Sequence, residues 1–487
     1  MPGSPVTTTA ANTDTRYLRA IKTALTGDPD TRLVLLCNFE VEQQWARGHI
    51  GLPDPGFAVS APLVQRMEEL GALLAGPDDF LILRTPLDPG YRAYAESAGT
   101  ALPTQLVPEN GAEAQSTAEA VLASPQLLRR LSELGREGAR LLPMGVSALE
   151  QRVAEVCGLP LAVPDAATCE RVNSKIYGRR LVEAAGLRPV PGQCCETVAE
   201  FAAALTRRAA ALEAGSPVVV KDAFGVSGKG LVLLESPVRA RRLLTMVQRR
   251  AERRGDDRLE VVVEDWLPKA FDLNYQVVVD RDGRVELDFV KGALTENGVH
   301  RGHVMPPDLD AGHLAEIGQA AQAVGAALYA DGFTGVAGID AILGANGLLY
   351  PVLEINARLN MSTYQGSVTE RFLPPESTAL AKHYTLALTA PLTFEAVRSA
   401  LGPVADLDGP GPADGRRLVI TCFGTVNAAA DTAAANASSF QGRLHTLLIA
   451  PDRAGLAALD TTVQAALSQL SDVRPTSETT ALNRKEQ

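Results

Sequence analysis

"GVAGIDAILGANGLLYPVLEINARLN" (residues 335–360) sets three polar side chains inside two apolar strands separated by a Gly-Ala-Asn-Gly turn. Asp340 lies in the first strand. Glu354 and Asn356 lie in the second, two residues apart and therefore on one face. The turn decides whether Asp340 joins them. A three- or five-residue connection sets Asp340 opposite Val352 and diagonally about 7 Å from Glu354. A two-residue Asn346-Gly347 turn directs it to the other face. Carboxylates inside apolar runs are costly unless paired or bound to a cation. Two acids and an amide oxygen suit Mg²⁺, or Mn²⁺ in its place, since such ions take one or two carboxylates together with water and substrate phosphates. The competing reading is an ion pair from Asp340 and Glu354 to Arg358 or a lysine.

Upstream, "VVVKDAFGVSGKG" (218–230) has the look of a phosphate loop. It is not the G-x-x-x-x-G-K-[ST] kind, because Ala223 and Gly230 break that pattern. Lys221 ends an uninterrupted valine strand, and Lys175 lies on a helix that stops at Gly186. Either lysine alone reads as a surface residue whose stem covers apolar surface. Beside a loop containing Gly225, Ser227, Gly228, Lys229 and Gly230, the two read as a cradle for polyphosphate, because glycine lets backbone amides approach phosphate oxygens. A cation about 4 Å from a phosphate charge interacts by roughly 4 kcal/mol at an effective dielectric near 20.

These motifs, in this order across about 160–390, resemble those of ATP-grasp enzymes. The resemblance implies that Lys175 and Lys221 hold the phosphates of ATP, and that 225–230 is a flap over them. It implies that Glu264, Asp265, Trp266 and Leu267 read the adenine edge through their backbone, and that Asp272 takes the ribose. It makes Asp340, Glu354 and Asn356 the metal ligands and sets Arg358 near the transferred phosphate. The N-terminal segment resembles a pre-ATP-grasp domain, and "SKIYGRRLVEAAGLRPVPG" (174–192) is similar to members that make peptide bonds in actinobacterial natural products. Many such ligases carry an arginine just before the first metal acid. Here that place is Ala337-Gly338-Ile339, so the basic role falls to Lys291 or Arg301. The implied activity joins a carboxylate, as of an amino acid, to an amine through an acyl-phosphate, with ADP and phosphate released. A non-catalytic nucleotide-binding protein and an acyl-phosphate-forming kinase of the same fold are the alternatives.

The whole chain is an α/β protein on this reading: an open α/β domain over 1–158, a two-part ATP-grasp domain over 159–395 and a small α+β segment over 396–487. The lid spans about 190–268, the metal hairpin 336–357, and a disordered tail begins near 473. "RLVLLCNF" (32–39) and "FLILRTPL" (80–87) suit a parallel sheet, with a helix over 61–76 between them. A helical region is expected from Ser116 to Cys157, and another helix over 168–185. The 487 residues carry 46 Lys and Arg against 57 Asp and Glu. That net charge of −11 argues against a nucleic-acid partner. The basic run "RARRLLTMVQRRAERRGDDR" (239–258) has helical spacing and reads as a solvated helix face. No apolar stretch reaches membrane-spanning length. The N-terminus lacks the marks of a signal peptide, and six scattered cysteines fit a reduced, cytoplasmic protein. The partners expected are small carboxylate and amine substrates, and a homodimer fits the usual symmetry of soluble oligomers.

Overall fold

The computed structural model describes residues 14–46, 51–52, 61–99, 101–109, 111–225, 230–296, 299–408, 412, 414–435 and 439–470. Within them the chain builds three sheets.

The first sheet is parallel, with order β3-β2-β1-β4: β1 (Leu33–Leu36), β2 (Phe80–Ile82), β3 (Thr104–Leu106) and β4 (Arg140–Pro143). Its strands are short apolar runs because helices cover both faces. Leu33 and Leu35 enter one core cluster, and Val34 and Leu36 another. The region from Ser116 to Cys157 is not helical throughout. Helices Thr117–Leu122, Pro125–Arg136 and Ala148–Cys157 enclose β4, a strand too short and too buried to show a period of its own. The expected helix over 61–76 is α-helical only at Ala61–Arg66 and tightens to a 3-10 helix over Met67–Leu73. There Glu68 and Glu69 turn fully inward, to the amides of Arg84 and Gly424.

The second sheet is antiparallel, order β5-β8-β6-β7: β5 (Gly192–Thr197), β6 (Val218–Asp222), β7 (Leu231–Leu234) and β8 (Arg258–Asp265). Helices Val198–Arg207 and Pro237–Arg254 cover one face, where Phe201, Leu243 and Val247 pack on Val218, Val220, Val261 and Val263. Alternation turns Lys221 and Glu264 to the opposite face. In the basic helix Ala240, Leu243, Val247 and Ala251 point inward, so the arginines lie on its outer side.

The third sheet holds eight antiparallel strands: β9 (Lys269–Val279), β10 (Val285–Glu296), β11 (Val299–Met305), β12 (Gly335–Gly344), β13 (Leu349–Asn356), β14 (Thr378–Leu388), β15 (Arg417–Cys422) and β16 (Phe440–Ala450). Their order is β13-β12-β9-β10-β11-β14-β16-β15. Helix Ala311–Ala330 packs behind it, setting Ile317, Val324 and Leu328 against Tyr275, Val277, Ile339 and Ala341. The even-numbered residues of β12 and β9 therefore face away from that core: Asp272, Asn274, Asp340 and Ile342 line a cleft, and Val278 and Val336 pack on the core of the N-terminal third. β16 pairs with β14 from Thr378↔Ala450 to Leu388↔Phe440, so the C-terminal strands extend the sheet that carries the hairpin.

The helix expected over 168–185 is two helices, Ala166–Asn173 and Lys175–Ala184. Ser174 interrupts them with an extended backbone and accepts the Ile176 amide on its hydroxyl, which makes Lys175 the first residue of the second helix.

Candidate active site

A cleft of about 290 Å³ lies between the second and third sheets. On its floor Asp340 pairs directly with Glu354 across the hairpin. The turn alone does not produce this register. Leu343 faces Leu349, a five-residue connection that by itself would set Asp340 opposite Val352. A bulge then adds two residues to β13 between Ile342↔Tyr350 and Asp340↔Glu354. Pro351 sits within it, where a residue without an N–H is tolerated. The three sequence-predicted ligands thus meet by a different register from the one expected. Asp340 Oδ1 accepts Asn274 Nδ2 at 2.8 Å, and Oδ2 accepts Asn356 Nδ2 at 3.2 Å. Burial, and then the charge of Glu354, raise the Asp340 pKa to about 6. A divalent cation between these carboxylates would relieve that repulsion, so the donor set fits Mg²⁺. The Asn356 amide oxygen accepts Arg358 Nη2 at 2.8 Å, so Asn356 must turn its amide to serve as a ligand.

The two lysines come from different elements, a helix start and strand β6, and the Lys175 amide donates to Ala223 O at 3.0 Å, two residues beyond Lys221. Lys175 Nζ donates to the Gly225 carbonyl at 2.7 Å and pairs with Glu354 Oε1 at 2.8 Å. Lys221 Nζ lies 2.6 Å from Glu264 Oε2, while Arg179 Nη1 lies 3.0 Å from Oε1 of the same carboxylate. Glu264 thereby has a side-chain role the sequence did not reveal: it holds Lys221 at the cleft wall. Gly225 and Gly230 line the cleft at the two ends of the loop. Gly230 adopts φ +72°, and a side chain there would crowd Asp222. Ser227, Gly228 and Lys229 lie outside the described residues.

Beyond Glu264 the chain leaves the ladder in an unusual way. The Asp265 amide donates to Pro191 O at 2.9 Å and the Trp266 amide to Pro217 O at 3.0 Å. An antiparallel pair normally returns a second bond, but proline has no N–H to give. The carbonyls of Asp265 and Trp266 are therefore denied their ladder donors. Among the described residues no partner is recorded for the Leu267 amide. An edge offering a free carbonyl and a free amide two residues apart suits the donor–acceptor edge of a purine. Asp272, on β9, is bonded by Lys269 Nζ and Thr295 Oγ1, which in turn lie 2.9 Å apart.

Arg358 lines the cleft, gripped by Glu42 from the N-terminal third and by the Leu359 carbonyl at 3.1 Å. The other basic candidates do not join it. Lys291 is buried beside the cleft, in the same sheet row as Asn274, donating to Ser362 O at 3.2 Å and Gln365 Oε1 at 2.9 Å. Burial lowers its pKa to about 7. Arg301 is exposed on β11 and lines a separate cavity. At Gly338, two residues before Asp340, an added Cβ would meet the Asn360 amide. Asn274 was legible: Asp272, Asn274 and Gln276 alternate with Leu273, Tyr275 and Val277 in one strand. Glu42 carries no such signal, since it reaches the site only through the fold.

Residues 67–159 match the family model of the pre ATP-grasp domain, and residues 175–371 match that of the carbamoyl-phosphate synthase L chain, ATP binding domain. The chain has the ATP-grasp fold. This ATP-grasp chain is 31% identical over 207 residues to the butirosin acyl-carrier protein–L-glutamate ligase of Niallia circulans. The match covers 42% of this chain and 48% of the relative, so the chain spans about half that protein's length. Among solved structures, an ADP complex of N5-carboxyaminoimidazole ribonucleotide synthetase superposes with a TM-score of 0.50 and 13% identity, over 89% of this chain and 96% of that one. A biotin carboxylase–ATP-analogue complex from Campylobacter jejuni gives 0.50 and 14%, over 88% and 90%. At these identities the two structures share the ATP-grasp fold with this chain. No helix among the described residues is long and apolar enough to cross a membrane.

Proposed function

We propose that this chain is an ATP-dependent carbon–nitrogen ligase that joins a carboxylate, as of an amino acid, to an amine through an acyl-phosphate, releasing ADP and phosphate. The observation that carries this reading is the pairing of Asp340 with Glu354 in the cleft that Lys175 and Lys221 also line. Two carboxylates side by side, in one cleft with two nearly buried lysines, suit a metal-bound triphosphate.

On this reading Asp265 O and Leu267 N–H read the adenine edge, and Asp272 accepts the ribose hydroxyls. Lys175 and Lys221 turn from Glu354 and Glu264 to the phosphates. Asp340, Glu354 and a rotated Asn356 would hold Mg²⁺, which when bound neutralises charge on the triphosphate. A substrate carboxylate oxygen attacks the γ-phosphorus as the bond to ADP breaks. Arg358, fixed by Glu42, faces the equatorial oxygens whose charge develops there. The amine nitrogen then attacks the acyl carbon, phosphate leaves, and the amine loses a proton.

The relative's name gives glutamate as its acid and an acyl-carrier protein as its acceptor. For this chain an amino acid is the acid, and an amino acid, free or carried on a protein, is the amine. The test is ADP release that requires both a carboxylate and an amine, with Glu354→Ala as control. AMP and pyrophosphate as products would sink the reading. Phosphorylated acid without any amine requirement would make the chain a kinase, and ATP binding without turnover a nucleotide-binding protein.

A further inference from the structure

Lys291, Asn274, Asp340 and Glu354 stand side by side in one row across β10, β9, β12 and β13. Asn274 lines the cleft and has no role in the reaction proposed above. It is buried, with both ends of its side-chain amide engaged. Nδ2 donates to Asp340 Oδ1 at 2.8 Å, and Oδ1 accepts Ser362 Oγ at 2.8 Å.

The orientation of that amide is forced. An ionised carboxylate only accepts, so the nitrogen of Asn274 must face Asp340 and its oxygen must face Ser362. The Ser362 hydroxyl then has to donate, which leaves its oxygen to accept from the His303 ring 3.3 Å away. Ser362 is itself fully buried and held at both ends of its backbone. Its amide donates to Asn360 Oδ1 at 2.9 Å, and its carbonyl accepts Lys291 Nζ at 3.2 Å. The next residue repeats the pattern, since Thr363 Oγ1 donates to Gln276 Oε1 at 2.6 Å, two residues along β9. Asn360 and Thr363 cap each other at the start of helix Met361–Tyr364. One capped turn thus sets two hydroxyls against two alternate amides of β9, and only the first of these amides touches Asp340.

This arrangement decides which oxygen of Asp340 is available. Asn356 Nδ2 donates to Oδ2 at 3.2 Å, and leaves it on turning its amide to serve as a ligand. Asn274 has no such freedom, because turning would set its oxygen against the carboxylate. Oδ1 stays occupied and Oδ2 is released.

We propose that Asn274 is a positioning residue: locked by Ser362, it holds Asp340 through Oδ1 and so presents Oδ2 to the divalent cation of the cleft. Lys291 supports it at one remove, through the Ser362 carbonyl. The inference rests on the ligase reading above, whose cation is the one that accompanies ATP.

The test is Mn²⁺ affinity, read by electron paramagnetic resonance on the full chain with a non-hydrolysable ATP analogue, and so independent of turnover. Groups that orient a metal ligand are worth about ten- to a hundredfold in metal affinity. Asn274→Leu should raise the Mn²⁺ Kd about tenfold or more, and Ser362→Ala severalfold. The double variant should bind as Asn274→Leu does, because Ser362 acts through Asn274. Thr363→Val removes the neighbouring hydroxyl–amide bond, and should lower the guanidinium chloride midpoint while leaving the Mn²⁺ Kd in place. In the ligase assay the Mg²⁺ needed for half-maximal ADP release should rise with the Mn²⁺ Kd, with KM for ATP unchanged at saturating Mg²⁺. An unchanged Mn²⁺ Kd in folded Asn274→Leu overturns the proposal, as do single effects that multiply in the double variant. An equal loss in Thr363→Val also overturns it, since that marks general loosening of the turn. If Asn274→Leu does not fold, Ser362→Ala decides, and a wild-type Kd there is fatal. Wild-type protein that binds Mn²⁺ but releases no ADP with any acid and amine overturns the ligase reading alone.

Discussion

Lys175 and Glu354 form an ion pair at 2.8 Å, joining the first residue of a helix to the hairpin that would carry the metal. Both groups are held at the cleft by a partner they must leave when a nucleotide and cation enter. Lys175→Ala and Glu354→Gln should each lower kcat/KM for ATP about a hundredfold, the usual scale for a group that neutralises developing charge. Rapid-quench measurement of ADP formation checks this, with tryptophan fluorescence confirming that the fold is retained.

Lys221 shares the Glu264 carboxylate with Arg179. Lys221→Ala should abolish ATP use, whereas Lys229→Ala should weaken it less; the reverse order would move the phosphate contact to the flap. Glu264→Ala leaves two cations facing each other at a buried position, which costs about 3–5 kcal/mol when one partner of such a pair is removed. The guanidinium chloride midpoint should fall accordingly.

Pro191 withholds a donor from the Asp265 carbonyl. Pro191→Ala supplies one, and it competes with adenine for that oxygen. One hydrogen bond of about 1 kcal/mol corresponds to roughly a fivefold weaker Kd for ATP, measurable by calorimetry. Pro217→Ala supplies a donor to Trp266 O instead and should leave that Kd unchanged.

Lys291 has a pKa of about 7 in the folded protein against 10.5 for a free lysine. Between those values the unfolded chain binds a proton that the folded chain does not, so stability rises with pH across that window. Relative to Lys291→Met, the wild type should gain up to about 1.4 kcal/mol per pH unit from pH 7 to 10. Urea unfolding at pH 6, 7.5 and 9 measures it; a difference that is flat with pH would mean the amine stays charged in its pocket.

Much of the site was legible because polar residues in apolar strands are conspicuous. Asp340, Glu354 and Lys221 announced themselves this way, Asp272 came only with the family resemblance, and all four line one cleft. What stayed hidden depends on geometry with no local signature. The bulge at Pro351 sets the Asp340–Glu354 register, and pairing rules for a regular ladder give a different neighbour. β4 is four residues, three of them buried, that no periodicity separates from the helices around it. Lys291 lies in the run Phe289-Val290-Lys291-Gly292-Ala293-Leu294 and Arg301 between His300 and His303, yet Ser362 and Gln365 cover the first and strand order carries the second to another cavity. Glu42 meets Arg358 across 316 residues of chain, a pairing only the assembled domains create.

The pairing of β14 with β16 over eleven positions has a practical corollary. A fragment ending near residue 395 would keep every residue of the nucleotide cleft and still be a poor reagent. It would bare the whole flank of β14 from Thr378 to Leu388, a long row of unanswered amides and carbonyls between apolar side chains such as Leu380 and Leu386. Such a flank recruits any strand within reach. The last two strands thus act as a seal, and crystallisation or assay work is best begun from a chain that retains them through Ala450.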